Sequence, residues 1–188
     1  MKNLKKTIFA VLCAVFVTAA TPGTVAGQSA DAPETIIYDA ESAMEVLKTL
    51  SGDWVSETSA SGHGAYTPVA SFKVAAAGTA IIETTGADTP NEMATIFHMD
   101  GDQLLQTHYC ALMNAPVLRF VQTEKPGELK FVFHGGTNFD VAVDAHFHEG
   151  TVQIKDKDTI ETSFVVFANG EKSTDGRSVL KRMKKHSN

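Results

Sequence analysis

After residue 50 the chain shows no further helical periodicity. Short runs rich in β-branched and aromatic residues follow one another instead, separated by turn residues. Strands at this spacing, with no helices between them, indicate an antiparallel sandwich or barrel and argue against a βαβ architecture. Closing the sheet is the usual way for such a meander to avoid exposed edge strands. The sequence therefore predicts an all-β fold, an antiparallel meander barrel of about ten strands.

One helix is expected in front of the barrel. Apolar residues recur at helical spacing between residues 41 and 50, and Asp39 or Ser42 is available as the N-cap. This segment leads directly into Gly52 and Trp54, where the strand-like pattern begins. We predict one short amphipathic helix preceding the first strand.

The first 26 residues have the pattern of a secretory signal peptide. Lysines at positions 2, 5 and 6 precede an apolar run over residues 7–20, and small residues follow at 24–26. The apolar run is too short for a stable membrane anchor. The sequence predicts export to the periplasm or the medium, a flexible leader over residues 27–38 and a single domain over residues 39–188.

The charge of the chain bears on its possible partners, and its cysteine content bears on disulfide formation. The whole chain carries a formal charge of −6, and removing residues 1–26 removes three lysines and no acids, which leaves −9. An acidic domain is a poor partner for nucleic acid or anionic membrane, so neither is predicted. Cys110 is the single cysteine after residue 26, so no internal disulfide can form. The oligomeric state is left open.

Residues 93–99 and 104–111 flank Asp100 and Gly101, and Asp-Gly between two such runs predicts a tight β-hairpin. With these two as the central turn residues, Phe97 would pair with Leu104. By the same register, Thr95 would pair with Gln106 and Met93 with His108. Both faces of the hairpin mix apolar and polar side chains, which favours a barrel wall around a partly polar interior.

Gly52-x-Trp54 behind a short helix resembles the opening of the calycin barrels, the lipocalins and their relatives. In those proteins the tryptophan plugs one end of the barrel, often beneath an arginine of the last strand. The resemblance implies this role for Arg177 or Arg182.

A longer stretch, residues 93–116, contains His98-Met99-Asp100-Gly101-Asp102 and, further on, His108-Tyr109-Cys110. It is similar to the hallmark of an uncharacterised bacterial domain-of-unknown-function family near the nitrobindin-like proteins, and the similarity covers nearly the whole domain. The resemblance implies a lipocalin-like barrel. It also suggests haem binding as an alternative function, with His108 as the first candidate axial ligand and His98 as the second.

The predicted function is that of an exported lipocalin-like protein that holds a small, mainly apolar ligand in its barrel. Aromatic side chains would supply most of the affinity, and His108 and Tyr109 would orient the ligand. If the hairpin faces the other way, Ile96, His98 and Tyr109 line the inside instead. The predicted ligand-binding residues are Trp54, Met93, Phe97, Leu104, His108, Tyr109, Phe131 and Phe133.

Glycines predict turns at residues 135–138 and 149–150, with a strand at 141–147 between them. His146 and His148 share one face of that strand and, with His98, form a candidate site for a divalent metal. If the valines at 141 and 143 face inward, the two histidines face water instead.

A metal- or thiol-dependent enzyme using these histidines with His108 and Cys110 is a further alternative. The common motifs of hydrolases, zinc enzymes and phosphate-binding proteins are not found in the sequence, and no catalytic residue is predicted. Carboxylates in the predicted strands and turns, at Glu83, Asp140, Asp144 and Glu161, show no pairing suited to acid–base chemistry.

Overall fold

The computed structural model describes residues 36–56 and 69–184. These residues form one helix and ten antiparallel strands, which close into a barrel because β1 pairs with both β2 and β10. The prediction of an all-β barrel behind one short helix is confirmed. The elements are α1 (Ala40–Thr49), β1 (Gly52–Ser56), β2 (Ala70–Ala75), β3 (Ala80–Thr85), β4 (Met93–Asp100), β5 (Gln103–Tyr109), β6 (Ala115–Val121), β7 (Glu128–Thr137), β8 (His146–Asp156), β9 (Thr159–Ala168) and β10 (Glu171–Arg182).

Helix α1 begins at a reciprocal cap. The Asp39 carboxylate accepts a hydrogen bond from the Ser42 amide at 2.9 Å, and the Ser42 hydroxyl lies 3.0 Å from the Asp39 amide nitrogen. The apolar face of the helix packs against β2, β4 and β5. It buries Ala43, Met44 and Leu47 in the same core as the inward side chains of the strands, and so closes one end of the barrel.

Trp54 lies under this helix and is fully buried. Its indole Nε1–H donates to the Leu50 carbonyl oxygen at 2.8 Å, so the ring is held by the end of α1. The Arg182 guanidinium lies over the ring, 4.4 Å from its centre, and donates to the carbonyl oxygens of Thr49 and Ser51. Arg182 therefore connects the last strand to both the helix and the first strand.

The turn between β4 and β5 differs from the predicted one. Asp100 pairs with Gln103, so the two central turn residues are Gly101 and Asp102. Gly101 has φ +61° and Asp102 does not have a positive φ. This fits a type II′ turn, in which glycine takes the first central position, whereas the predicted Asp-Gly placement is typical of type I′.

The hairpin register is consequently shifted by two residues. Phe97 pairs with Gln106 rather than Leu104, and Thr95 pairs with His108. Because side chains alternate along a strand, a shift of two leaves every side chain on its predicted face. The buried face is the one that carries Thr95, Phe97 and Leu104.

Two further predictions about the later strands are wrong. Residues 141–144 form an exposed turn, and β8 starts only at His146. The predicted turn at 135–138 lies largely inside β7, and the one at 149–150 lies wholly inside β8. Gly136 and Gly150 allow close packing against the rings of Phe139 and Phe147 there rather than chain reversal.

The predicted signal peptide and most of the predicted leader lie outside the described residues. At the end of the leader, the Ile36 carbonyl oxygen accepts from the Gly127 amide at 2.8 Å, and Tyr38 is buried. In the described part of the chain, no helix has the length and apolar character needed to cross a membrane.

Candidate functional site

The barrel interior holds a cavity of about 280 Å³. Residues of β3, β4, β5, β7, β8 and β9 line it, and no residue of α1 does. Phe164 lines the cavity and is 44% exposed, so the cavity reaches the protein surface beside this ring. The lining comprises Glu83, Thr85, Met93, Thr95, Phe97, Gln106, His108, Cys110, Phe131, Phe147, Gly150, Thr151, Val152, Thr162, Ser163, Phe164 and Val166.

Of the eight residues predicted to bind a ligand, four line the cavity: Met93, Phe97, His108 and Phe131. Phe97 and Phe131 contact each other edge to face, with ring centres 5.6 Å apart. His108 packs against Phe147 at 5.0 Å. The wall therefore combines four phenylalanines with polar residues on two sides of the barrel, one group on β3, β4 and β5 and the other, Thr151, Thr162 and Ser163, on β8 and β9.

The structure places the other four predicted residues elsewhere. Trp54 and Leu104 are fully buried in the core at the helix-capped end. Phe133 packs against Phe139 and two histidines outside the cavity lining. Tyr109 points outward and is 51% exposed, because it follows the inward-facing His108 on the same strand.

On one side of the cavity, three polar side chains form a row across neighbouring strands. Glu83 of β3 pairs directly with Thr95 of β4, and Thr95 pairs directly with His108 of β5. Thr95 Oγ1 lies 2.9 Å from His108 Nδ1, and a Thr95 hydrogen bond also acts on the Glu83 carboxyl. A carboxyl, a hydroxyl and an imidazole thus stand side by side in the cavity wall, with the hydroxyl and the imidazole in hydrogen-bond contact.

Burial changes the ionisation of both ends of this row. It raises the pKa of Glu83 to about 7, an increase that the Thr95 hydrogen bond partly offsets. It lowers the pKa of His108 to about 4, so this imidazole is neutral at neutral pH. Glu83 keeps some accessible surface because it lines the cavity. At neutral pH the row therefore contains a neutral histidine and a carboxyl near its titration midpoint.

Of the three predicted metal ligands, His146 and His148 lie together, and His98 is not grouped with them. His146 is 1% exposed, so the expectation that it faces water is wrong. Its Nε2 lies 3.1 Å from His148 Nδ1, and its Nδ1 lies 2.9 Å from the Asp144 carbonyl oxygen. His98 is on β4, and within the described ranges no three histidine, cysteine or acidic side chains group as metal ligands do.

Aromatic rings surround this histidine pair. Ring stacking joins His148 to Phe167 at 3.8 Å and His146 to Phe139 at 4.9 Å. The cluster lies where β7 and β8 stop pairing, beyond Val132 and Glu149. Burial has the largest effect on the pKa of His148 and lowers it, and the charge of the neighbouring His146 lowers it further. The two histidines thus fill the gap between two diverging strands.

Sequence reasoning missed the polar row, above all Glu83. The residues Ile81, Glu83 and Thr85 alternate onto the inner face of β3, but Ile82 is also apolar and makes the inward face ambiguous in the sequence. One signal was available in the sequence. Glu83 is an ionisable residue two positions after Ile81, so its side chain lies on the same face of the strand as Ile81, which is fully buried.

The chain matches no protein-family model, and no curated protein matches it. The closed antiparallel barrel with a short preceding helix is compatible with a calycin or lipocalin-like fold.

Proposed function

We propose that this protein is an exported, lipocalin-like binding protein that holds one small, mainly apolar molecule in the barrel cavity. The observation that carries the proposal is the cavity itself, a space of about 280 Å³ inside a barrel that also has a packed apolar core. Aromatic rings form much of its wall, and burying an apolar ligand against them is favourable.

The cavity volume limits the size of the ligand. It is roughly twice that of the ~150 Å³ apolar cavity that admits benzene, and it lies near the lower end of the range typical of ligand sites, about 300–1,000 Å³. A molecule with one or two rings, or a short branched chain, suits this space. A porphyrin macrocycle is larger than this space, which supports a smaller ligand in preference to haem even though His108 lies in the wall.

Indole is a suitable first probe because it is small, neutral and mainly apolar. We expect saturable binding of one indole per chain by isothermal titration calorimetry. Val166→Phe places a larger side chain in the cavity and should weaken binding at least about tenfold. Val165→Phe is the matched control, since Val165 is the next residue of the same strand and does not line the cavity. Equal binding by both variants would show that the cavity is not the binding site.

Export is proposed from the lysines and the apolar run within residues 1–26. Expression of the full chain in a bacterial host, followed by fractionation and N-terminal sequencing, tests it. The expected product starts at Gly27 and lies outside the cytoplasm. An uncleaved cytoplasmic chain would contradict export without affecting the binding proposal.

A further inference from the structure

The cavity wall offers no positive charge. Glu83, His108 and Cys110 are the ionisable residues of the lining, and no lysine or arginine belongs to it among the residues that the structure describes. The direct cross-strand neighbours of Glu83 are Phe72 and Thr95, which carry no charge. A ligand carboxylate would lose its hydration here and gain no counter-ion. The cavity therefore disfavours anionic ligands such as fatty acids.

The row of polar side chains is arranged to accept hydrogen bonds when Glu83 is ionised. The Thr95 hydroxyl has one hydrogen, and donating it to the carboxylate leaves its oxygen to accept from His108 Nδ1–H at 2.9 Å. His108 Nε2 is then unprotonated and has no hydrogen-bond partner in the described part of the chain. In this state the wall presents two acceptors, a carboxylate and an imidazole nitrogen.

The rest of the wall suits a cation as well as an apolar group. Phe97, Phe131, Phe147 and Phe164 all line the cavity. The faces of aromatic rings attract cations, and the attraction is stronger where water is excluded. An ammonium group has three N–H donors and no acceptor, which complements the Glu83 carboxylate, the free His108 nitrogen and the ring faces.

We propose that the cavity selects a compact organic amine, bound as its ammonium ion, with the nitrogen at Glu83 and His108 and the hydrocarbon part among the aromatic rings. The inference rests on the proposed binding function and adds the chemical class of the ligand. It follows from one partly buried carboxyl, an accepting imidazole, a set of aromatic rings and the absence of lysine and arginine from the described lining.

Such binding is linked to the ionisation of Glu83. In the free protein at pH 5.5 this carboxyl is protonated, because burial raises its pKa to about 7. An ammonium ion stabilises the ionised form, so binding at pH 5.5 releases about one proton, and binding at pH 8 releases close to none. The linkage weakens the apparent affinity roughly thirtyfold between pH 8 and pH 5.5. A neutral ligand shows neither effect.

Three probes of one skeleton test the inference: 2-phenylethylamine, 2-phenylethanol and phenylacetate. We expect the amine to bind at least about tenfold more tightly than the alcohol at pH 8, and phenylacetate to bind most weakly. Calorimetry at pH 5.5 in buffers of different ionisation enthalpy should detect the released proton. Tighter binding of the alcohol or of phenylacetate than of the amine would overturn the amine inference and leave cavity binding intact.

Variants separate the role of Glu83 from general effects. Glu83→Gln resembles the protonated carboxyl, so it should fold, bind the alcohol within about threefold of the parent affinity, and lose the amine preference and the proton release. Glu149→Gln is the control, because Glu149 pairs with Lys130 at 3.3 Å outside the cavity lining. An amine preference that survives in Glu83→Gln would overturn the inference. Failure of indole and all three probes to bind would overturn the binding function itself.

Discussion

Thr95 Oγ1 lies 2.9 Å from His108 Nδ1, and Thr95 is at the same time the direct cross-strand neighbour of Glu83. The Thr95 hydroxyl has one hydrogen and can donate it to only one of these two neighbours at a time, so we expect the direction of donation to depend on which neighbour holds a proton. A protonated Glu83 donates to Thr95, and Thr95 then donates to His108. An ionised Glu83 reverses both bonds.

The tautomer of His108 should therefore follow the ionisation of Glu83. Because the pKa of Glu83 is raised to about 7, we expect the neutral imidazole to change from Nε2–H to Nδ1–H as the pH rises from about 6 to about 8. Nitrogen-15 NMR of the imidazole ring distinguishes the two forms. Thr95→Val removes the connecting hydroxyl and should abolish the change. A constant tautomer in the parent protein would show that the three side chains are not coupled.

Glu83 should also make stability depend on pH. Its pKa is about 7 in the folded protein against an ordinary 4.5, so its stabilising contribution is full below pH 4.5 and is lost as the pH rises to about 7. Glu83→Gln has no such loss. The variant's free energy of unfolding, relative to the parent, should rise by roughly 3 kcal/mol between pH 4.5 and 7. Urea denaturation over this range measures it, and a flat difference would contradict the buried carboxyl.

His108 should make the free energy of unfolding depend on pH in the opposite direction. Its pKa falls from an ordinary 6.5 to about 4 on folding, so its contribution is full above pH 6.5 and is lost as the pH falls towards 4. Relative to the parent, His108→Asn should gain stability as the pH is lowered across this range. The two effects largely cancel in the parent between pH 4.5 and 6.5. Each variant should therefore show a steeper pH dependence than the parent protein does.

Arg182 should stabilise the closure of the barrel. Arg182→Ala removes the contact with the Trp54 ring and the hydrogen bonds to the carbonyl oxygens of Thr49, Ser51 and Lys157. We expect a loss of roughly 2–3 kcal/mol in the free energy of unfolding. Arg182→Lys should lose less, because the ammonium keeps the charge but cannot make the several directed hydrogen bonds of the planar guanidinium.

Arg177→Ala is the control for this prediction. Arg177 lies on the same strand, is 69% exposed and pairs with Glu161 at 3.3 Å. An exposed ion pair contributes less than about 1 kcal/mol, so the change should be small. Equal losses from the two substitutions in denaturant titrations would show that Arg182 has no special role in closing the barrel.

Any residue larger than glycine at position 136 should destabilise the fold. A Cβ atom there would lie 2.8 Å from the Cα of Pro116 on the paired strand, so the backbone itself would have to move. We expect Gly136→Ala to cost roughly 2–4 kcal/mol in thermal or urea unfolding. Gly135→Ala meets no atom within 4 Å and should change stability by less than about 1 kcal/mol. The reverse order would contradict the packing of β6 on β7.

Local pattern was enough to predict the class of fold. Alternation in the strands, turn residues between them and one capped helix are all short-range signals, and they specified a barrel of about ten strands with Trp54 at its start. The same alternation placed Met93, Phe97 and His108 on one face. An error of two residues in the hairpin register did not disturb this, because two is the period of the strand.

Local sequence patterns thus predicted the antiparallel barrel, the preceding helix and which side chains of the central hairpin share a face. The sequence did not predict that Glu83, Thr95 and His108 stand side by side, because cross-strand neighbours depend on the register of three strands joined by turns of different lengths. Nor did it predict that His146 is buried, since that depends on where β7 and β8 separate. Burial, and with it the pKa shifts of the cavity residues, is a property of the closed barrel and not of any single strand.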